Sequence, residues 1–347
     1  HAQIIFTDPS GERMFFPRAS EVVPEKPKEI QPHPLGITTS DLIEFAHASE
    51  DRKLSSFFVN TYSRFSYGKV EEVKKLLTAV NFEMQPKELK WEEAEALVKA
   101  FRELRWVAPE TDALRPVGSA QIEKALRNIY NPEFFAVTER KPKVFRGGIP
   151  FMVEAAIAYG GNSGRRKSDG SIGGDILRFA NRVPLLFDAG GCGITDAVKT
   201  IDWRRYDIRD FENEPVSVLI NFVSVHVPYT GAGKQAVAEE EEIIEEIRLA
   251  VMDAAREMQR YLHGKVKAAG RDAKKKAVIR YASQLAHDLA ALAGKGKPAE
   301  IEKRLMKLVE DKYSQLTLEE AEEEGGKADE AKEEAPNGNG EDEKEEE

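Results

Sequence analysis

The stretch "PYTGAGKQAVAEEEEIIEEIRLA", Pro228 to Ala250, holds a cation at odds with its surroundings. Glu239, Glu240, Glu241 and Glu242 suit the positive end of a helix dipole, whereas Lys234, at the predicted helix start, does not. A cation in that place calls for an anion. Gly231 and Gly233 ahead of it allow close backbone approach, and the exposed N–H groups of a helix start form a ready anion site. The chemistry this spacing can do is phosphate contact, with Lys234 as the reaching group. The other open reading is a solvated lysine at a turn.

Two basic stretches could also meet phosphate. "IDWRRYD" sets Arg204 and Arg205 between Trp203 and Tyr206, which suits backbone contact with planar side chains packing on sugar or base. It equally suits an aromatic pair filling a hydrophobic edge while the arginines face water. "GNSGRRKSDG" offers Arg165, Arg166 and Lys167 in a flexible loop able to track a DNA backbone, or simply to be solvated.

Other motifs fail on spacing. "TGAGKQ" is no P-loop, because the first required glycine would fall on Pro228 and the required Ser/Thr on Gln235. "DAGGCG", Asp188 to Gly193, resembles a D-x-G-x-G nucleotide motif but follows a strand and lacks a preceding helix with a metal-binding asparagine, so it reads as a turn. "DGSIGGD" lacks calcium-loop spacing. Six scattered histidines give no Ser/His/Asp set, and His226 in a strand reads as a packed or surface residue. No complete catalytic site is expected, and no metal site.

These residues need elements to position them. A chain of 347 residues is long enough for two or three domains with real cores. The single cysteine, Cys192, excludes a disulfide framework and a cysteine-based zinc cluster, and fits a reducing cytoplasm. No apolar run approaches the roughly 20 residues that span a bilayer, so the expectation is a soluble, cytoplasmic protein. The net charge of −10 is uneven: residues 319–347 hold 15 acids against 3 lysines, a net of −12, which leaves about +2 for residues 1–318. That body is compatible with DNA. The acidic tail lacks aromatic and β-branched residues and is expected to be disordered, an aid to solubility.

The chain opens as strand, turn and strand ("AQIIFTD", "PSGER", "MFFPR"), as if cut from a larger domain. "VVPEKPKEIQPHPLG" is a stiff linker, with a boundary near Pro34. From Thr39, with Thr39 or Ser40 as cap, helical spacing predicts a small all-helical domain over 37–112. Residues 113–230 read as a helix, "SAQIEKALRNIY", and three strands, with the helix "ITDAVKTI" between the last two. Strand, helix, strand predicts an α/β layer, so the fold class is mixed α+β. From Lys234 to about Ala268 one helix is predicted, roughly 50 Å long at 1.5 Å per residue. Ile243, Ile247, Val251, Ala254, Met258 and Tyr261 or Leu262 form its buried stripe. Gly270, and then Gly294, Gly296 and Pro298, are expected to break off two further helices.

"RGGIPFMVEAAIAYGG", "ILRFANRVPLLFDAGGCGIT", "IDWRRY" and "VSVHVPYTGAGKQAVA" resemble the transducer of the B subunits of topoisomerase VI, the archaeal type IIB DNA topoisomerases; the similarity runs from about residue 1 to about 265. The resemblance implies that residues 1–33 are the last hairpin of a GHKL-type ATPase domain, 34–36 a linker, 37–112 a helix-two-turns-helix domain, 113–316 the transducer and 317–347 the tail. It implies that Lys234 senses the γ-phosphate of ATP, with Gly231 and Gly233 as the adjacent turn. The family's W-K-x-Y motif, associated with DNA, falls on Trp203, Arg204 and Tyr206, with arginine in place of lysine. Partners so implied are an A subunit carrying the DNA-cleaving tyrosine, a second B subunit in an A2B2 heterotetramer, and double-stranded DNA, with no membrane. ATP and Mg²⁺ are expected in the complete subunit and none in this chain alone. Two other readings stay open: a DNA-binding scaffold without ATP coupling, and an α/β enzyme holding a phosphorylated substrate in the GAGK turn.

Overall fold

The computed structural model describes residues 2–18, 26, 28–294 and 297–313. The acidic tail, residues 19–21, and residues 22–25 and 27 of the proline-punctuated stretch lie outside them. The chain divides into two compact units, His1–Leu262 and His263–Glu347.

In the first unit, β1 (Ile4–Thr7) and β2 (Arg13–Phe16) pair antiparallel, with Ile4 opposite Phe16. The Asp8 carboxylate closes the turn by accepting from the Ser10 hydroxyl and the Glu12 amide. Four helices follow: α1 (Thr39–Ala48), α2 (Leu54–Thr61), α3 (Tyr67–Leu76) and α4 (Trp91–Glu103). The α1 cap is Thr38, one residue before the expected start. Its hydroxyl accepts from the Asp41 amide at 3.2 Å while the Asp41 carboxylate accepts from the Thr38 amide at 2.8 Å. This reciprocal box satisfies two orphan donors at once, which neither Thr39 nor Ser40 could do. Aromatic rings fill the helical core; Phe58 stacks on Phe65 at 5.1 Å and meets Phe101 edge-on at 5.6 Å.

The described end of the stretch read as a linker, His33–Gly36, is tied down. Pro34–Gly36 makes a 3-10 turn, and buried His33 takes the Leu35 amide on Nδ1 while Nε2 bonds the Val107 carbonyl at 3.0 Å. Gly36 lies against Gly148 so closely that a Cβ on Gly148 would sit 2.3 Å from the Gly36 nitrogen. Burial holds the His33 pKa below its ordinary 6.5, with Arg64 acting in the same direction and the Val107 carbonyl opposing. A lowered histidine pKa means the unfolded chain binds the proton first. Stability is therefore full above about pH 6.5 and falls as the pH drops from there toward the folded value. Urea midpoints across that range are expected to decline for the wild type and to flatten in His33→Gln.

The second core is built on a mixed sheet. Helix α5 (Ser119–Tyr130) precedes β3 (Phe134–Glu139), β4 (Lys143–Phe145) and β5 (Ile149–Tyr159). There follow β6 (Arg165–Arg166), β7 (Ile172–Gly173), β8 (Asp175–Ala180), β9 (Val183–Pro184), α6 (Gly193–Lys199) and β10 (Val216–Ser224). The order is β3-β5-β10-β8-β9, with β4 also on β5. Strands β8 and β10 run parallel, as the strand–helix–strand pattern around α6 requires, while β5 runs antiparallel to β10 with Ala155 opposite Ile220. Alternation sends Val153, Ala155 and Ile157 to the face covered by α6 and the start of α7, and sends Ala156 to the face where α5 packs through Ile122 and Leu126.

One acid interrupts β5. Glu154, fully buried, accepts from the amides of Val117 at 2.9 Å and Gly118 at 2.6 Å, at the start of α5, and from the Asn221 side chain at 2.6 Å. A carboxylate on the free N–H groups of a helix start uses both hydrogen bonds and the dipole.

Helix α7 runs Glu241–Ala293. The predicted stripe is present, with Ile243, Ile247, Val251, Ala254 and Met258 at 0–1% exposure. The break at Gly270 is absent. A glycine inside an exposed helix costs only about 1 kcal/mol, and Ala268, Ala269 and Ala273 around it favour the helix. In the second unit, Gly294 with φ +59° ends α7, and residues 298–313 form α8. Ala282 and Ala286 are buried there. Among the described residues no helix is long and apolar enough to cross a membrane.

Candidate functional site

Lys234 is not at the start of α7. The helix begins at Glu241, whose neighbour Glu240 accepts from the Ile243 and Ile244 amides, and residues 228–238 make a hairpin-like loop instead. Tyr229 bridges to Val237, the Thr230 amide donates to Ala236 O at 3.0 Å, and the Ala238 amide donates to Pro228 O at 2.6 Å. The physical reason is burial. Ala236 and Val237, at 1% and 0% exposure, are drawn into the sheet core, and a helix begun at Lys234 could not place them there. The glutamates therefore keep their dipole role while Lys234 loses the contrast that singled it out.

The loop still presents the lysine. Lys234 is exposed, in left-handed backbone at φ +53°, and its amide donates to Gly231 O at 3.1 Å. A Cβ on Gly231 would meet nothing within 4 Å, and one on Gly233 only the Gln235 side chain at 3.7 Å. Neither glycine is needed for the packing of this chain by itself, so the space beside both is open to a ligand.

The stem of the loop is held by a segment the sequence yields only as a turn. Asp188 adopts φ +55°, Ala189–Gly191 form a 3-10 turn, and α6 starts at Gly193. The Gly193 amide donates to Val237 O at 2.9 Å, and the Val237 amide donates to Cys192 Sγ at 3.5 Å. A Cβ at Gly193 would sit 3.0 Å from Ala238 O. Buried Arg178 fixes the preceding loop by donating to Leu185 O and Phe187 O, each at 2.9 Å.

Ion pairs lock the first turns of α7 beside this loop. Arg146, in left-handed backbone, pairs with Glu240. Glu246, almost wholly buried, meets Arg140 at 2.5 Å and Lys143 at 2.6 Å, and Arg140 also holds Asp253 at 2.9 Å. Burial pushes the Glu246 carboxyl up, and the hydrogen bonds from Arg140 and Lys143 more than reverse this, leaving it below the usual range. Within a run of acids and apolar residues, nothing in the sequence separates Glu246 from its solvated neighbours.

The aromatic residues of "WRRY" are core side chains. Trp203–Tyr206 is a 3-10 turn with Trp203 and Tyr206 at 6% and 7% exposure. Trp203 Nε1 donates to Val198 O at 3.1 Å, and its ring packs on Phe211 at 4.9 Å. Their burial leaves no ring face for sugar or base, which corrects that expectation. Arg204, Arg205 and Arg209 point outward, and Arg204 meets Asp202 at 3.2 Å. The Gln259 side chain donates to Arg205 O at 2.6 Å, fixing this turn on α7.

The basic loop is likewise ordered. Arg165 and Arg166 lie in β6, paired with Gly173 and Ile172 of β7, and both are exposed. Lys167 donates to the Asn213 side chain at 2.7 Å. Gly174 N bonds Phe211 O, so the segment that packs on Trp203 also supports this hairpin. Five of the nominated cations thus stand on two neighbouring rigid supports rather than a loose loop.

A cleft of about 800 Å³ lies elsewhere, lined among others by His33, Tyr62, Arg64, Glu110, Arg146 and His226, and none of the nominated residues borders it. No group of three or more metal-ligating side chains occurs among the described residues.

Residues 109–276 match the family model described as "Topoisomerase VI B subunit, transducer". The B subunit of type 2 DNA topoisomerase 6 from Methanothermobacter thermautotrophicus is 48% identical over 299 residues, covering 86% of this chain and 57% of its own length. That of Thermococcus sibiricus is 40% identical over 360 residues (91% and 62%), and that of Pyrococcus furiosus 40% over 376 (94% and 64%). The chain thus spans about three fifths of the length of these relatives. Among solved structures, the DNA gyrase B protein from Myxococcus xanthus aligns at 17% identity with a TM-score of 0.26 over 42% of this chain and 40% of that one, which is too distant to add to the fold.

Proposed function

The chain belongs to the family of topoisomerase VI B subunits, and from that membership we propose that it carries the state of a nucleotide site to DNA in a type IIB topoisomerase. In this reading residues 37–112 are the helix-two-turns-helix domain, 113–316 the transducer, and β1–β2 the edge of an ATPase domain. Partners would be an A subunit, a second B subunit and duplex DNA, with ATP and Mg²⁺ held by the complete protein.

The observation that carries the reading is the Lys234 loop. It projects an exposed cation beside open space, and its stem is bonded both to the start of α6 and, through Glu240, to the start of α7. A phosphate drawn to Lys234 would thereby load two elements of one packed sheet. A flexible point charge on a rigid support suits that task. Comparing ATP-dependent relaxation of supercoiled DNA by the complete subunit with and without Lys234 is the decisive test.

The DNA claim rests on Arg204, Arg205, Arg165, Arg166 and Lys167 and not on the rings of Trp203 and Tyr206. Arg204→Ala with Arg205→Ala is expected to weaken duplex binding about tenfold at low salt, and to flatten the plot of log K against log salt by roughly two units, at about 0.9 per lost phosphate contact. Anisotropy of a labelled duplex across a salt series measures both. Unchanged affinity at low salt would remove this surface from the proposal.

A further inference from the structure

We propose that the cleft between the helical core and the end of the sheet is a binding site for a small alkylammonium ion. The cleft, about 800 Å³, has the size of a small-molecule site and lies where two cores meet, a common place for one. Its chemistry is set by what remains unpaired. Tyr62, at 1% exposure, borders the cleft, and its hydroxyl has no hydrogen-bond partner among the described residues. Nearly all buried polar groups are partnered, so this one calls for an atom from outside the chain. Burial holds the phenol protonated, and the charge of Asp41 acts in the same direction, so the oxygen offers its lone pairs to a donor.

The charges say which donor. Of the Arg, Asp and Glu side chains bordering the cleft, Arg64 is paired with Glu110 at 3.5 Å and Arg146 with Glu240. Glu29 and Asp41 remain, and among the described residues neither has a cation. His33 adds no charge, because Nδ1 accepts the Leu35 amide and Nε2 meets the Val107 carbonyl. The surplus is negative and selects a cation. Asp41 accepts the Thr38 amide and hydroxyl on Oδ2, each at 2.8 Å, which leaves Oδ1 open. An ammonium carries three donors and no acceptor, so it can give one to Asp41 and one to the Tyr62 oxygen. Phe45 stands four residues from Asp41 on the same face of α1, and its ring meets that of Tyr62 edge-on at 6.3 Å. Ring faces attract an ammonium. Ile37, Val59 and Ile149 supply an apolar wall for the alkyl body.

Methyl chemical shifts of the full chain, titrated without DNA or nucleotide, test this independently of the topoisomerase reading. At about pH 8, where free histidine is neutral and an alkylamine stays protonated, n-hexylammonium is expected to shift the methyls of Ile37, Val59 and Ile149 saturably. The expected Kd is on the order of millimolar. At about 0.15 M ionic strength, hexanoate and 1-hexanol are expected to bind at least about tenfold more weakly. Asp41→Asn keeps the size of the side chain and removes its charge, and should weaken hexylammonium at least about tenfold. Tyr62→Phe should weaken it about threefold or more, while leaving the urea midpoint unchanged or raised, because the hydroxyl lost has no partner in the fold. No saturable shift at those methyls, equal binding of hexanoate or hexanol, binding that survives both substitutions, or a lowered midpoint in Tyr62→Phe overturns the proposal.

Discussion

Lys234→Ala, introduced into a complete B subunit and assayed with its A partner, is expected to lower ATP-dependent supercoil relaxation by about a hundredfold or more, the order lost when one preorganised charge on a reacting centre is removed. Folding should be untouched. The side chain is exposed, and alanine accepts the left-handed backbone no better and no worse than lysine does, so stability should stay within about 0.5 kcal/mol, as for an ordinary surface change. Lys234→Arg keeps the charge on a planar head and is expected to recover part of the activity. ATP turnover measured beside relaxation separates two failures. If turnover persists while relaxation is lost, the coupling is broken; if both fall, Lys234 also serves the chemical step. A variant with normal turnover and normal relaxation would remove the lysine from the mechanism.

Glu154→Ala should have the largest effect on stability. The fully buried carboxylate receives two amides of the α5 start and the Asn221 side chain, and alanine strands all three donors. Each buried donor left unmade costs about 1–3 kcal/mol, so stranding three neutral donors is expected to cost roughly 3–5 kcal/mol. Glu154→Gln keeps the shape and an acceptor but not the charge on the helix dipole, and should lose about half as much. Urea unfolding at neutral pH gives the magnitudes. Hydrogen exchange gives the location, with faster exchange expected first at residues 117–126. A loss below about 1 kcal/mol in the alanine variant, the size of an ordinary exposed cap, would mean that water reaches these amides and that the carboxylate does not hold α5.

The two effects differ in how they could be seen beforehand. Lys234 stands out in the chain by type and by the glycines around it, although the reason first attached to it, a place at a helix start, is wrong: Ala236 and Val237 are buried as a strand-like pair and hold the helix off until Glu241. Glu154 gives no such sign. One acid in an apolar strand has a meaning only when α5 is laid across it.

The same division runs through the rest of the molecule. Helical periodicity locates α4 and α5, a long apolar run ending in a glycine turn locates β5, a Val/Ile-rich run locates β10, and the spacing of apolar residues picks the buried stripe of α7, because each of these is set by which face of one element meets a core. Strand β3, short and mixed in character at Phe134–Glu139, is assigned by its pairing to β5, which no local pattern contains. Trp203 and Tyr206 show the limit from the other side: aromatic residues beside arginines fit a nucleic-acid surface or a core equally well in sequence, and packing against Phe211 and Val198 decides for the core. The sequence by itself determined the family and the mixed fold and marked the candidate cations, since side-chain type, local period and long ordered motifs are written along the chain. Only the tertiary structure decided which of those side chains face water, because burial is a sum over neighbours drawn from distant segments.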